Sequence, residues 1–426
     1  MHVVLIALQA DMIRSLAAGG HSITLLYEPR HKRQALELSP LITRRCAVDS
    51  YERVESLWSG LECLDLTEPV EVVLAGHERA VVSAAVLGSQ LGATAVDPLV
   101  AMGCRDKATQ KSRWSQAGVP TARWCVMTNG AESVQQVRES LSAAGLEPPV
   151  VIKPPLGGGS LFVSVAHSYA EICDSAGATD ELSRPLVEQK IDGPEWHLDG
   201  LVQKGRITDL MVSKYLTAPI RTGTGAPVRS VALPPALHEE TYAAAMDFSQ
   251  RAVDALELAR GVFHLEAFGQ PGRFIAGELA CRPGGTLISR VGESILGLDL
   301  WAASAQLFTG DPIVRKEVDP GLVHGWVHLP SVAGSRNSVT EADILGIDGV
   351  TSVSLKVPVG AVMGGMLTSS SNGIGAATVS GSSEEECRLA MDRVVDRVQE
   401  IHEKRPYDSV DAEAVSVCDG LRPQQR

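Results

Sequence analysis

The sequence predicts an α/β protein, and three observations carry that prediction. Apolar residues make up 44% of the 426 positions, with glycine and proline spread throughout, the profile of a folded chain long enough for two or three domains. Strand and helix patterns alternate, most clearly over residues 1–100, which indicates an open, Rossmann-like layer. From Gly261 to Gly285 the chain reads GVFHLEAFGQPGRFIAGELACRPGG, two short strands about a Gly-Pro-containing turn.

Composition also excludes. A net charge of -13 argues against nucleic acid or an anionic membrane as main partner, although a local basic pocket for a phosphate stays compatible with it. The eight cysteines are scattered, with neither a C-x-x-C pair nor zinc-type spacing, so reduced, packed thiols in a cytoplasmic protein are expected. The opening HVVLIAL lacks the basic segment and cleavage site of a signal peptide, and no run approaches membrane-spanning length.

In chain order, His2–Leu8 is an apolar run suited to a buried parallel strand, followed by a helix over Asp11–Ala18 and a strand over Ile23–Tyr27. Val70–Ala75 is a further strand, and Glu78–Leu91 a helix ended by Gly92. The turn after the first strand is Gln9-Ala10-Asp11. It lacks a dinucleotide glycine fingerprint, so the layer is scaffold and part of a substrate wall. A helix carrying Lys107, Lys111 and Arg113 ends at Gly118; lysines on a helix are commonly solvated. Val150–Lys153 is a strand delivering a lysine at its end. Pro154–Ser160, with Gly157, Gly158 and Gly159, then leads to a second strand over Leu161–Val165. Together they make a hairpin lid whose backbone N–H groups suit phosphates.

Pro185–Asp192 is a strand with Glu188, Gln189, Lys190 and Ile191 near its end, and Glu195–Leu201 alternates, placing Glu195, His197 and Asp199 on one face. Glu239–Leu258 is a long helix. Ser294–Leu307 is helical, Val323–Leu329 and Thr351–Lys356 are strands, and Ser383–His402 is a helix before a frayed tail.

The Gly261–Gly285 hairpin carries the sharpest chemical signal. His264 and Glu266 share one face of its first strand, and Glu278, Ala280 and Arg282 one face of its second. If a three-residue loop pairs Gln270 with Phe274, Glu266 faces Glu278; a two-residue loop turns the carboxylates to opposite faces. Facing carboxylates repel unless a cation lies between them, and a hard ion such as Mg2+ takes their oxygens and leaves positions for phosphate.

The ordered set Asp106-Lys107, Val151-Ile152-Lys153-Pro154 with its glycine loop, Leu186–Ile191, His264-Leu265-Glu266 and Glu278–Gly285 resembles the ATP-grasp superfamily, and within it the carboxylate–amine ligases that include the L-amino acid ligases. The resemblance spans roughly residues 1 to 400. It implies an ATP-grasp fold in four parts: a Rossmann-like pre-ATP-grasp domain over 1–100, a central and lid domain over 101–310, a C-terminal α+β subdomain over 311–403, and a flexible tail over 404–426. By the same resemblance Lys107 and Lys153 bind phosphate, and Gly157, Gly158, Gly159 and Ser160 form the lid over the triphosphate. Glu188 accepts the adenine amino group, the backbone of Gln189, Lys190 and Ile191 completes adenine recognition, and Glu195 binds ribose. Glu266 and Glu278 hold Mg2+, and Arg282 steadies the substrate carboxylate and the tetrahedral intermediate. His197, Lys214, Arg221, His264, Gly284 and Gly285 are candidate substrate residues, with Arg229, Arg290 and the Gly360–Gly375 loop as further candidate walls.

Two departures stand out. The family usually has an asparagine two residues after the second acid, where this chain has Ala280, and a Gly-His pair where it has Thr222-Gly223-Thr224-Gly225. The implied chemistry is ATP- and Mg2+-dependent amide formation through an acyl phosphate, between amino acids or a small acid and an amine. A homodimer is compatible with it. Two alternatives stay open at this point: loading of an amino acid onto a carrier protein or thiol, and a nucleotide binder that has lost catalysis, the latter motivated by Ala280.

Overall fold

The structure is a computed structural model that describes residues 1–64, 66–127, 133–175, 184–364 and 373–404. The tail expected beyond 404 lies outside the described residues.

The first layer is a four-stranded parallel sheet in the order β3-β2-β1-β4. It comprises β1 (His2–Ile6), α1 (Ala10–Ala18), β2 (Ser22–Tyr27), α2 (Lys32–Glu37), β3 (Arg44–Ala47), α3 (Val54–Glu62), β4 (Val72–Ala75) and α4 (Val81–Leu91). All five residues of β1 are buried, as a strand covered on both faces requires. The helix α4 stops at Gly92, whose φ of 63° is the left-handed cap that glycine adopts without strain.

Two helices then lead into the site. α5 (Pro98–Arg105) starts with proline at its first turn under an Asp97 cap, and α6 (Lys107–Gln116) starts under Asp106, whose carboxylate accepts from Thr109 N at 2.7 Å. Asp106 therefore fixes the point at which Lys107 enters its helix.

A second sheet, antiparallel and ordered β5-β8-β6-β7, contains β5 (Trp124–Val126), β6 (Val150–Lys153), β7 (Ser164–Ala166) and β8 (Leu186–Gln189). Beneath it α7 (Val134–Ala143) and α8 (Tyr169–Ser175) bury Val137, Leu141 and Ile172 against Ile152 and Val187. The strand expected from Leu161 begins only at Ser164. Ser160 and Phe162 have φ of 58° and 57°, a left-handed backbone that breaks an extended run.

The largest sheet has eight strands in the order β13-β12-β9-β10-β11-β14-β16-β15. Its members are β9 (Glu195–Gln203), β10 (Arg206–Thr217), β11 (Arg229–Ala232), β12 (Arg260–Gln270), β13 (Arg273–Ala280), β14 (Val323–Leu329), β15 (Val350–Leu355) and β16 (Gly375–Gly381). The helix α9 (Glu239–Ala255) buries Ala245, Phe248, Ser249, Ala252 and Val253, a single stripe at helical spacing. The β14–β16 strands continue this sheet through antiparallel pairing of β11 with β14. The helix expected over Ser294–Leu307 is two helices, α10 (Ile288–Leu296) and α11 (Leu300–Thr309). Gly297, at φ 72°, packs against the Lys316 backbone and leaves no room for a side chain. The remaining helices are α12 (Glu341–Leu345) and α13 (Glu384–Lys404).

One apolar core joins the parallel layer to the large sheet, with Leu5, Met12 and Leu25 in the same cluster as Leu201, Val262 and Trp326. Among the described residues Cys46, Cys63, Cys104, Cys281 and Cys387 are free thiols, and no helix is long and apolar enough to cross a membrane.

Candidate active site

The hairpin of β12 and β13 sets the centre of the site. Its turn is the tight one: Gln270 pairs with Arg273 across Pro271-Gly272, and Gly272 has a φ of 80°, as the third position of a type II turn demands. That register alone would turn the two acids apart. A bulge corrects it, because Ala267 pairs with Ala276 while Glu266 pairs with Glu278, leaving Gly277 as the extra residue. A Cβ on Gly277 would lie 2.9 Å from the Phe268 ring and 3.1 Å from the Glu266 carbonyl. Glycine thus permits the bulge, and the bulge aligns the acids. His264 is paired with Ala280 in the same ladder.

Glu266 and Glu278 both line a cavity of about 490 Å³ between the large sheet and the β5–β8 sheet. Lys107, Lys111, Lys153, Gly157, Gly158, Gly159, Ser160, Glu188, Gln189, Lys190, Ile191, Glu195, Arg221, His264, Arg282 and Gly285 line it as well. The fold therefore gathers most of the sequence-predicted residues into one space. His197, Lys214 and Gly284 stand outside that lining. His197 is buried beneath it, Lys214 Nζ lies 5.9 Å from the Trp196 ring centroid, and Gly284 packs against His264 and Asp199. Arg229 pairs with Asp392, and Arg290 with Asp11 and Glu293, away from the cavity. Of the Gly360–Gly375 loop, residues 365–372 lie outside the described residues.

At the lysine end, Lys107 Nζ reaches Glu278 Oε1 at 2.8 Å and the Gly157 carbonyl at 2.7 Å. One turn further along α6, Lys111 is fully buried and meets Glu188 Oε2 at 2.8 Å, while Lys153 meets Oε1 of the same carboxylate at 2.5 Å. Burial would raise the Glu188 carboxyl, but Lys111 and Lys153 bring it down to about 2. Burial lowers Lys111 in spite of Glu188, whereas for Lys153 the nearby carboxylates outweigh burial and raise it. One carboxylate holding two buried ammoniums leaves a net positive charge, the condition an anionic ligand requires.

On β9 of the large sheet, Glu195 is pushed up to about 8 by burial and then by Glu266. The strand end that carries Gln189 is held by a hydrogen bond from Gln189 N to the Arg123 carbonyl at 2.9 Å. Lys190 bonds Asp192. Beside the acids, Arg282 Nε donates to Glu78 Oε2 at 2.5 Å, and Arg105 Nε lies 3.7 Å from Glu78 Oε1. Burial would raise Glu78, but Arg282, Arg105 and Lys107 hold it below the ordinary carboxylate range. The parallel layer thus supplies an acid that orients the arginine.

Behind the acids runs a buried polar chain. Ser230 Oγ meets His197 Nε2 at 2.7 Å, His197 Nδ1 meets Asp199 Oδ2 at 2.6 Å, and Asp199 Oδ1 meets His264 Nδ1 at 2.8 Å. His264 Nε2 is 3.7 Å from Glu266 Oε1. Burial would lower His264, yet Asp199 and Glu266 raise it to about 10. For Glu266 burial acts upward, and His264 and then Lys153 and Lys107 bring it below its ordinary value.

Sequence reasoning gave no role to Lys111, Glu78, Trp326 or His328, and placed Asp199 only on the strand face it shares with Glu195 and His197. Lys111 had a signal in its i,i+4 spacing from Lys107, which puts both on one helix face. Glu78 had none, since it meets Arg282 only through the packing of two layers.

The architecture, a parallel layer followed by two antiparallel sheets that enclose a cavity, is the ATP-grasp fold. No family model matches the chain. A crystal structure of L-amino acid ligase from Bacillus licheniformis superposes with a TM-score of 0.72 at 19% identity, covering 93% of this chain and 97% of that one. Carboxyaminoimidazole ribonucleotide synthase from Aspergillus clavatus, complexed with ATP, gives 0.70 at 14% identity, with 93% and 98% covered. In sequence, the L-arginine-specific L-amino acid ligase of Bacillus subtilis is 28% identical over 283 residues. That match covers 64% of this chain and spans 66% of the relative's length. The fold is therefore that of ATP-grasp proteins, and in sequence the chain is similar to an L-amino acid ligase. Its relatives on both counts include L-amino acid ligases.

Proposed function

We propose that this protein is an ATP-dependent carboxylate–amine ligase that forms an amide through an acyl phosphate, joining amino acids or a small acid and an amine. The observation that carries the reading is the facing of Glu266 and Glu278 across the ladder, in one cavity with Lys107, Lys153, Arg282 and the glycine loop.

The roles follow from charge and position. Lys107 and Lys153 bind phosphate oxygens, and Gly157 to Ser160 cover them and keep water from the activated acid. Glu188, held by Lys111 and Lys153, accepts the adenine amino group, the backbone of Gln189 to Ile191 completes adenine recognition, and Glu195 borders the ribose. Glu266 and Glu278 fit Mg2+, because paired carboxylates are the oxygen donors that ion takes, while Ala280 offers none. When bound, the ion neutralises phosphate charge during transfer. A substrate carboxylate held by Arg282 attacks the γ-phosphorus and ADP departs. The amine then adds to the acyl carbon, loses a proton and expels phosphate, with Arg282 stabilising the oxyanion between the two events. Small-molecule substrates suit the enclosed cavity. The free thiols of Cys46, Cys63, Cys104, Cys281 and Cys387 support a reducing, cytoplasmic setting. Residues 1–100, 101–310 and 311–403 remain the proposed domains.

The test is release of ADP and phosphate with Mg-ATP against a matrix of acids and amines, singly and in pairs. The reading expects release that needs a pair, with a product mass equal to their sum less water. ADP release indifferent to carboxylate and amine would overturn it.

A further inference from the structure

We propose that the acid activated here carries an uncharged aromatic or branched apolar side chain, received by a wall of Tyr215, Val228, Thr286, Ile288, Trp326 and His328. The proposal rests on the ligase reading and deepens it. All six residues line the cavity. Thr286 and Ile288 follow Arg282 closely in the chain. A carboxylate held by Arg282 therefore directs the rest of the acid toward this wall.

The wall is uncharged and mostly set in the core, with Trp326 Nε1 and His328 Nδ1 buried and without a partner among the described residues. Tyr215, Val228, Ile288 and Trp326 belong to the cluster that joins the parallel layer to the large sheet, and each is at most 9% exposed. Its imidazole is neutral, since burial and then Lys356 push His328 down to about 3. His328 Nε2 is engaged with Thr286 Oγ1 at 3.0 Å, and the His328 and Trp326 rings lie 5.0 Å apart between centroids. None of the six supplies a carboxylate. Of the acids that act on Tyr215, Glu266 and Asp199 are held by His264, and Glu278 by Lys107. Burial and then Glu266 push Glu195 up to about 8 and leave it neutral at pH 7. A guanidinium or ammonium would be desolvated here without a free counter-charge, and a second carboxylate would have to draw on Lys356, a buried ammonium that desolvation already lowers. The name of the Bacillus subtilis relative specifies arginine; this wall holds no acid to receive one.

The test compares kcat/KM for carboxylate donors, each with a saturating panel of amines, by ADP release and product mass. Phe, Leu, Ile and Met should exceed Arg, Lys, Asp and Glu by at least ~100-fold. Thr286→Asp adds a carboxylate at an exposed position whose φ of 56° strains threonine and suits aspartate better. It should narrow the Phe-to-Arg ratio by at least ~10-fold. A wild type that prefers a charged donor while still requiring both substrates overturns this proposal and leaves the ligase reading standing. An unchanged ratio in Thr286→Asp removes Thr286 from the wall and overturns the assignment. Release indifferent to carboxylate and amine overturns both readings together.

Discussion

Glu188 faces two ammonium groups that have no other carboxylate so close among the described residues, so its loss strands buried charge. Glu188→Gln is expected to destabilise the protein by roughly 3–5 kcal/mol at pH 7, read by urea unfolding. The pH dependence has a defined sign. Burial would raise this carboxyl, but Lys111 and Lys153 hold it at about 2 in the folded protein, against an ordinary 4.5. Its stabilisation is therefore complete above about pH 4.5 and is lost as pH falls toward 2. The gap between wild type and Glu188→Gln should narrow over that window; a gap independent of pH would refute the assignment. Arg282 is only partly buried and its guanidinium is held by Glu78, so Arg282→Ala should leave the fold intact. The expected effect is a fall in kcat of about 10²–10³-fold. Full activity in that variant would remove Arg282 from the chemistry.

The hairpin is the element on which the metal-site proposal depends, and it shows what a sequence conveys. Alternation set Glu266 on a face with His264 and Glu278 on a face with Arg282, because side-chain direction in a strand is local, and the family resemblance joined the two acids in one site. Their facing was not legible, because it depends on a bulge at Gly277 that only the packing of Phe268 and the Glu266 carbonyl enforces. Gly277→Ala should cost about 1–3 kcal/mol and reduce activity beyond that loss, since relief of the clash alters the register of the acids. Gly272→Asn is the control. It sits at φ 80° with open space around it, where asparagine is tolerated, and it should retain activity. Equal activity in the two variants would show that the bulge does not align the site. The element types were read correctly in most of the parallel layer, where buried strands and helices differ sharply in pattern. The α10–α11 break was not, because Gly297 is demanded by the distant Lys316 backbone.

For the whole molecule, the division read from sequence near residue 311 falls between α11 and β14. The segment beyond it is not independent in its hydrogen bonding, because β14 pairs with β11 over Arg229↔Val327 to Ala232↔His324. A chain ended after Pro312 would expose the β11 edge and remove Trp326 from the shared core. It is expected to be insoluble or rapidly proteolysed; a stable, folded product would show that the C-terminal strands are separable. The same assembly of layers explains why the partners of Glu78 and Asp199 escaped sequence reading. Each meets its partner across a long stretch of chain, Glu78 with Arg282 and Asp199 with His264, and no local pattern records such a meeting.

The most direct test follows an oxygen atom. With a carboxylate substrate labelled with 18O in both oxygens, and an amine that supports ADP release, attack on the γ-phosphorus must carry one label into the released phosphate for each amide formed. Phosphate containing one 18O is the predicted result. Unlabelled phosphate, with amide formed at the normal rate, would contradict an acyl phosphate and with it the roles assigned to Arg282, Glu266 and Glu278.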